Sequence, residues 1–129
     1  MLAIDTNVVV RYLTGDDPKQ TTKARALIDG TDVFVATTVL LETEWVLRSV
    51  YAFDANDIAA ALTAFGGLER VTFEDPGASA NALNWAGQGI DFADALHLAR
   101  SEGCEAFATF DAKFAKIGGR LSGMHMHIV

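Results

Sequence analysis

The chain opens with Met1-Leu2-Ala3-Ile4-Asp5-Thr6-Asn7, an apolar run that ends in a carboxylate and two small polar residues. The next six residues, 8–13, are mainly apolar again. This pattern predicts a short buried strand that ends at Asp5, followed by a helix whose N-cap is Thr6 or Asn7. In an open α/β sheet, functional groups gather beyond the carboxyl ends of the strands. Asp5 is therefore a candidate functional residue, although an aspartate at this position can also serve only as a helix cap.

A second stretch repeats this arrangement near the other end of the chain. Residues 106–110 read as an apolar strand, Asp111 follows immediately, and a helix should run through Phe114 and Ile117. The glycine pair Gly118-Gly119 is expected to end that helix. Thr109 stands just before Asp111 and adds a small polar side chain. Asp111 is thus a second candidate for a carboxylate at a strand end.

A predicted helix through residues 40–48 carries a third candidate. We expect Thr37 or Thr38 to cap it, and we expect its apolar stripe to comprise Val39, Thr43, Val46 and Val50, with Leu40 and Leu47 alongside. On that helical wheel Glu42 projects into an apolar sector, where an unpaired carboxylate is costly and requires a partner. Glu44 lies on the opposite side and is expected to pair with Arg48 in solvent.

Two further acids open a helix in the second half of the chain. In the stretch from Asp91 to Arg100, Asp91 and Asp94 lie three residues apart in the first turn. Asp91 can be read as the N-cap and Asp94 as an acid that the helix dipole favours. His97 lies near both of them, but a single histidine on a helix is more often structural than catalytic.

Composition limits the classes of protein that need to be considered. A chain of 129 residues is expected to form a single domain, residues 1–129, and to bury a sizeable core. No apolar run approaches the ~18 residues of a membrane span, and the single Cys104 suits a reducing cytoplasm. The net charge of −7 argues against binding of nucleic acid by a broad basic surface. It is compatible with acids that hold divalent cations, or with a basic partner.

Strands and helices alternate along the chain, which predicts an α/β fold with a parallel sheet. If the first and fourth strands are neighbours, Asp5 and Asp111 share a crevice that Glu42 and Asp94 reach from adjoining helices. Carboxylate-rich sites suit Mg²⁺ or Mn²⁺. The chain has neither a GxxxxGK[ST] loop nor a GxSxG elbow. The chemistry that this pattern favours is metal-assisted hydrolysis of a phosphodiester.

The four acidic motifs, taken in order, resemble those of PIN domains and more specifically of VapC-type toxins from bacterial toxin–antitoxin pairs. The motifs are Asp5-Thr6-Asn7, Glu42 within Leu-Glu-Thr-Glu-Trp-Val-Leu, Asp94 within Asp-Phe-Ala-Asp-Ala-Leu-His-Leu-Ala, and Thr109-Phe110-Asp111. Each motif is weak alone, but the four together span the chain in order and are specific. No member of the acidic set departs from the family pattern.

The resemblance implies a single-domain α/β/α sandwich whose five parallel strands have the order 3-2-1-4-5. It implies an endoribonuclease that depends on Mg²⁺ or Mn²⁺ and hydrolyses single-stranded RNA. It also implies a homodimer and inhibition by a cognate VapB-type antitoxin. The catalytic, metal-binding acids would be Asp5, Glu42, Asp94 and Asp111, and the supporting residues would be Thr6, Asn7, Asp91 and Thr109.

Three alternatives stay open at this point. A haloacid-dehalogenase-like phosphatase also begins with an aspartate after its first strand, but it needs a second one where this chain has Asn7. A receiver-type phosphoacceptor domain would require paired acids at the first strand end and a lysine after the last strand. A PIN-like fold could also act only as a metal-binding module without nuclease activity. The RNA that would be cut and the basic residues that would contact it do not follow from the sequence.

Overall fold

The computed structural model describes all residues, 1–129, and contains seven helices and five strands. The chain divides into two compact units, Met1–Pro76 and Gly77–Val129.

The first unit is built around a parallel sheet of three strands in the order β1-β2-β3. Val33 of β2 pairs with Leu2 on one side and with Val71 on the other, so β2 is the central strand. Its apolar side chains Val33 and Val35 are fully buried. The elements of this unit are β1 (Leu2–Ala3), α1 (Thr6–Thr14), α2 (Pro18–Gly30), β2 (Val33–Val35), α3 (Thr37–Ser49), α4 (Ala55–Gly66) and β3 (Val71–Phe73).

The sequence also predicts that Asp17 and Asp54 each begin a helix of this unit, and both predictions are confirmed. Asp17 accepts a hydrogen bond from the Gln20 amide at the start of α2, and Pro18 occupies the first helical position. Asp54 caps α4 in the same manner. The prediction that Thr37 or Thr38 caps α3 is wrong, because the cap position falls on Ala36 and the α3 amide of Thr37 instead donates to Glu74 beyond β3.

The opening strand differs in burial from the prediction. Ile4 is buried, as expected, but Leu2 is about half exposed, at 50%. The reason lies in the pairing, since β1 is an edge strand of this three-stranded sheet and is covered by a neighbour on one side only.

The second unit contains a parallel pair of strands and three helices. Phe107 pairs with Met126, and Thr109 pairs with Ile128. The elements are α5 (Pro76–Ala86, whose first residue closes the first unit), α6 (Phe92–Ala99), β4 (Phe107–Thr109), α7 (Ala112–Ser122) and β5 (Met126–Ile128). Phe114 of α7 packs edge-on against Phe107 of β4, with ring centroids 5.6 Å apart, and this contact fixes the helix on the strand pair.

The prediction that Gly118-Gly119 ends α7 is wrong. The helix continues to Ser122 and ends at Gly123, which has a φ of 74° in the left-handed region. The glycine pair serves close packing instead. A Cβ on Gly118 would lie 3.2 Å from Leu98 Cδ2 of α6, and one on Gly119 would lie 3.0 Å from Met126 Cγ of β5.

The predicted α/β class with parallel strands is confirmed. Hydrogen bonds join the strands into a sheet of three and a sheet of two, and each keeps the part of the predicted order that falls within it, 3-2-1 and 4-5. None of the helices has the length and apolar character that a membrane span requires.

Candidate functional site

Asp5 lies at the start of α1, where it is the N-cap. Its backbone is extended, with φ −84° and ψ 162°, and its Oδ1 accepts a hydrogen bond of 2.6 Å from the Thr6 amide. The prediction that Thr6 or Asn7 caps this helix is therefore wrong, because both of those residues already belong to α1. The side chain of Asp5 is exposed, and its Oδ2 makes no hydrogen bond.

Thr6 links the first strand end to α3. Its side chain is buried, and its hydroxyl donates a hydrogen bond to Oε1 of Glu42. The two residues are 36 positions apart in the chain. Since Thr6 does not cap the helix, its hydroxyl is available for this tertiary contact. One oxygen of the Glu42 carboxylate is thus held by a residue at the first strand end.

The orientation of α3 differs from the prediction. Glu42 is exposed, whereas Glu44 is buried, with only 6% of its surface accessible. The buried positions of this helix are Leu40, Thr43, Glu44 and Leu47. The expected apolar stripe is thus wrong except for Thr43, and Val50 at its predicted end is 66% exposed.

Glu44 is tolerated in this position because Arg48 compensates its charge. The Arg48 guanidinium donates to both carboxylate oxygens of Glu44, from Nε at 3.0 Å and from Nη2 at 3.3 Å. The predicted pairing with Arg48 is confirmed, but the predicted exposure of Glu44 to solvent is wrong, because the Glu44 side chain is buried. Leu40 and Leu47, which the sequence places alongside the expected apolar stripe, are buried, and their i, i+7 spacing marks the face that packs inward.

In the second unit, three acids line one pocket of about 150 Å³. They are Asp91, Asp94 and Asp111, and Lys113 contributes a positive charge to the same pocket. Phe114, Ile117 and Ile90 supply apolar walls. Two of the predicted catalytic acids, Asp94 and Asp111, are therefore neighbours in this structure, together with the predicted supporting residue Asp91.

Two of these acids are positioned by helix caps. Asp91 Oδ2 accepts from the Asp94 amide at 3.3 Å and begins α6. Asp111 Oδ1 accepts from the Phe114 amide at 3.0 Å and begins α7. The hydroxyl oxygen of Thr109 accepts from the Asp111 amide at 3.0 Å, which holds the backbone on the strand side of the same turn.

The electrostatics of this pocket reflect its crowding. The pKa of Asp94 is raised from its ordinary value, first by partial burial and then by the nearby charges of Asp91 and Asp111, while His97 acts in the opposite direction. A carboxylate with other carboxylates beside it lies in a surrounding that a cation would stabilise.

The carboxylates have the donor chemistry that Mg²⁺ and Mn²⁺ prefer, since both ions take oxygen ligands and water. No cysteine or histidine set competes with this assignment. As they stand, however, no three His, Cys, Asp or Glu side chains converge closely enough to form a metal-binding group. These residues therefore fit a divalent cation in the type of donor atom and in charge.

A pocket on the first unit was not anticipated from the sequence. It has a volume of about 310 Å³ and lies between α1 and α2, where Asn7 is one of its lining residues. Arg11 and Lys23 also line it. Both basic residues can be read from the sequence, but no local pattern indicates that they line the same pocket from two different helices.

Comparison with known proteins places the chain in a family. The family model for the PIN domain matches residues 2–120, a range that spans both units and contains every candidate acid. No curated protein and no solved structure matches the chain significantly. Since the matched range covers nearly the whole sequence, the chain belongs to the PIN domain family, a family of metal-dependent nucleases.

Proposed function

We propose that this protein is an endoribonuclease that hydrolyses single-stranded RNA with the help of Mg²⁺ or Mn²⁺. The observation that carries the proposal is the pocket lined by Asp91, Asp94 and Asp111, where burial and the two neighbouring carboxylates raise the pKa of Asp94. Membership of the PIN family provides the nuclease class, and the resemblance to VapC-type toxins provides the choice of RNA.

In this proposal Asp5, Glu42, Asp94 and Asp111 are the metal-binding carboxylates. When bound by these carboxylates, a divalent cation would supply an activated water and would stabilise the leaving oxygen of the phosphodiester. The side chains of the protein hold and orient that chemistry. Asp5 and Asp111 each use Oδ1 to cap a helix, so each carboxylate is held in one direction with Oδ2 left available.

The supporting residues act one step away from the reaction. Thr6 fixes Glu42 by donating to one of its oxygens, and Thr109 fixes the turn that carries Asp111. Asp91 fixes the first turn of α6, on which Asp94 lies, and adds negative charge beside it. Residues that orient metal ligands in this way commonly change activity by ten- to a hundredfold.

The direct test incubates the purified protein with an end-labelled single-stranded RNA in Mg²⁺, in Mn²⁺ and in excess EDTA. We expect internal cleavage in both metals and none in EDTA, and we expect Asp94→Asn to lose cleavage by about a thousandfold or more. Robust cleavage in EDTA would overturn the metal requirement.

The same experiment separates the alternative functions when p-nitrophenyl phosphate is added as a second substrate. Hydrolysis of that ester with the RNA left intact would indicate phosphatase chemistry. Metal binding without hydrolysis of either substrate would indicate a binding module.

We further propose that the protein is the toxin of a cytoplasmic toxin–antitoxin pair, acts as a homodimer, and is inhibited by a VapB-type antitoxin. The excess of 17 acidic over 10 basic residues supports a cationic inhibitory segment, whose Arg or Lys would pair with the acids.

Co-purification with the product of the adjacent gene tests this partner, and cleavage should fall to background at a stoichiometric ratio. Light scattering on the isolated protein tests the dimer. A complex that still cleaves RNA freely would overturn this account of regulation.

A further inference from the structure

The pocket between α1 and α2 differs from the rest of this acidic protein in its charge. Two basic side chains, Arg11 and Lys23, line it, and no acidic residue does. In a chain with a net charge of −7, such a pocket offers an anion a favourable local surrounding. Its volume of about 310 Å³ is at the lower end of the range for small-ligand sites, ~300–1,000 Å³, and suits one compact group.

Arg11 is held in place before any ligand arrives. Its Nε donates to Gln20 Oε1 at 2.7 Å, and its Nη1 donates to Asp16 at 3.0 Å and to the Tyr51 hydroxyl at 2.9 Å. These contacts leave Nη2 with both of its hydrogens available. A guanidinium fixed in this way loses little conformational entropy when it binds a phosphate oxygen.

Lys23 is the second cation and has no hydrogen bond or ion pair in the structure. It is exposed, and its charge is not offset by a neighbouring acid. Asp16 partly neutralises Arg11, so the uncompensated charge of the pocket resides mainly on Lys23. The side-chain oxygen of Gln20 accepts the hydrogen bond from Arg11. The side-chain amide nitrogen of Gln20 is therefore available as a further donor.

The remaining wall of the pocket is apolar. Val8 of α1 and Ala24 and Leu27 of α2 supply it. A small hydrated anion would make no favourable contact with this apolar wall. A ligand with both a phosphate and a flat or partly apolar body would use the basic and the apolar sides together.

The location relates this pocket to the candidate acids of the same unit. Asn7 lines it and lies two residues after Asp5 in the chain, while Thr6, between them, holds Glu42. We propose that the pocket lined by Arg11, Lys23, Val8 and Leu27 is a subsite that binds one nucleotide of the RNA strand. The identity of the strand rests on the proposed function, whereas the preference for a phosphate-bearing ligand rests on the pocket itself.

The experiment measures binding rather than cleavage. The wild-type protein in EDTA is titrated with an oligouridylate pentamer, a single strand that stays intact because the proposed cleavage requires a divalent cation. Backbone amide chemical shifts are recorded by NMR, and affinity is recorded as a function of salt. We expect the largest shifts at Asn7, Val8, Lys23, Ala24 and Leu27.

Lys23→Gln and Lys19→Gln form the matched pair of variants, since both lysines are exposed on α2 and only Lys23 lines the pocket. Lys23→Gln should weaken binding about fivefold and reduce the slope of log affinity against log salt by about 0.7, the value for one lost contact to a single strand. Lys23→Glu should weaken binding further. Lys19→Gln should change affinity and slope little.

Equal effects of the two glutamine variants, or shifts that avoid α1 and α2, would overturn the subsite. An acidic peptide of the same charge that binds in the pocket more tightly than the pentamer would also overturn it and assign the pocket to a protein partner. Failure of the proposed function is distinguishable. If the protein binds the pentamer in this pocket but never cleaves RNA in Mg²⁺, the subsite proposal stands and the proposed nuclease activity is overturned.

Discussion

The two strand–acid–helix junctions of this protein have nearly the same local sequence pattern but use their threonines differently. At the first, Asp5 caps α1 through the adjacent amide, and Thr6 donates to a carboxylate 36 residues away. At the second, Asp111 caps α7 through the amide of Phe114, and Thr109 accepts from the backbone of Asp111. The first threonine makes a tertiary contact, whereas the second stabilises its own turn.

This difference shows that a shared motif specifies the position of the carboxylate but not the role of its neighbour. In both junctions the carboxylate has one oxygen on a helix N-terminus, which is a local consequence of following a strand and preceding a helix. Thr6 is the first residue of α1 and is buried, so its hydroxyl must find a partner inside the unit. Thr109 is on a half-buried strand end, where a backbone amide is near.

The largest expected effect tests whether the two capping aspartates have the same function. Asparagine caps helices about as well as aspartate but lacks the charge. Asp5→Asn and Asp111→Asn should therefore keep the melting temperature and each lose RNA cleavage by about a thousandfold. Asp54→Asn is the control, because Asp54 caps α4 and is not a candidate ligand. Wild-type cleavage in either variant would reduce that aspartate to a cap.

The next effect concerns the two glutamates of α3, because Glu42 is the residue to which the first junction is linked. Glu42→Gln should lose cleavage by about a hundredfold and leave the fold intact, since its side chain is exposed. Glu44→Gln should cost about 1–2 kcal/mol of unfolding free energy, because it weakens the pairing of the buried Glu44 with the more exposed Arg48.

Cleavage by the Glu44→Gln protein that remains folded should stay close to wild type. Urea denaturation and RNA cleavage measured on both variants decide the assignment. A greater loss of activity at Glu44 than at Glu42 would contradict the placement of Glu42 among the catalytic acids.

A smaller effect should distinguish the two threonines directly. Thr6→Val removes the hydroxyl that holds Glu42 and should lower cleavage by about tenfold or more. Thr109→Val removes only an acceptor for a backbone amide, and its effect on cleavage should be a few-fold at most. The ratio of the two rates at saturating Mg²⁺ is the measurement, and equal rates would show that the long-range contact has no role in activity.

The smallest effect is one of stability in the absence of metal. The pKa of Asp94 in the folded protein is raised above its ordinary value of 3.8 by burial and by Asp91 and Asp111. Stability from this group is thus fully present below that ordinary pKa and is lost as pH rises through the raised one. Asp94→Asn removes the penalty, so in EDTA at pH 7 it should melt ~2 °C higher than wild type.

Added Mg²⁺ should stabilise the wild-type protein more than Asp94→Asn. Thermal melts of both proteins at pH 4 and pH 7 give the sign of the effect. A variant that melts lower than wild type at pH 7 in EDTA would show that Asp94 contributes a stabilising contact instead.

Much of the fold follows from local sequence because caps and periodicity act within one or two turns. Asp17 with Pro18, Asp54 and the Asp91–Asp94 pair begin helices at the expected places, since each satisfies amides three or fewer residues away. The strands around Val33 and Phe107 are identifiable from their apolar runs between helices. The carboxylates at strand ends follow from the same alternation.

The sequence by itself determined the α/β class, the parallel strands, the family and the set of candidate acids. Only the tertiary structure decided which face of α3 is buried, because Leu40 and Leu47 outweigh the competing stripe once Arg48 neutralises Glu44. Likewise, Gly118 and Gly119 continue a helix because α6 and β5 approach them closely, a contact that no local pattern encodes. Neighbouring residues determine the interactions within a turn, whereas packing depends on side chains that are distant in sequence.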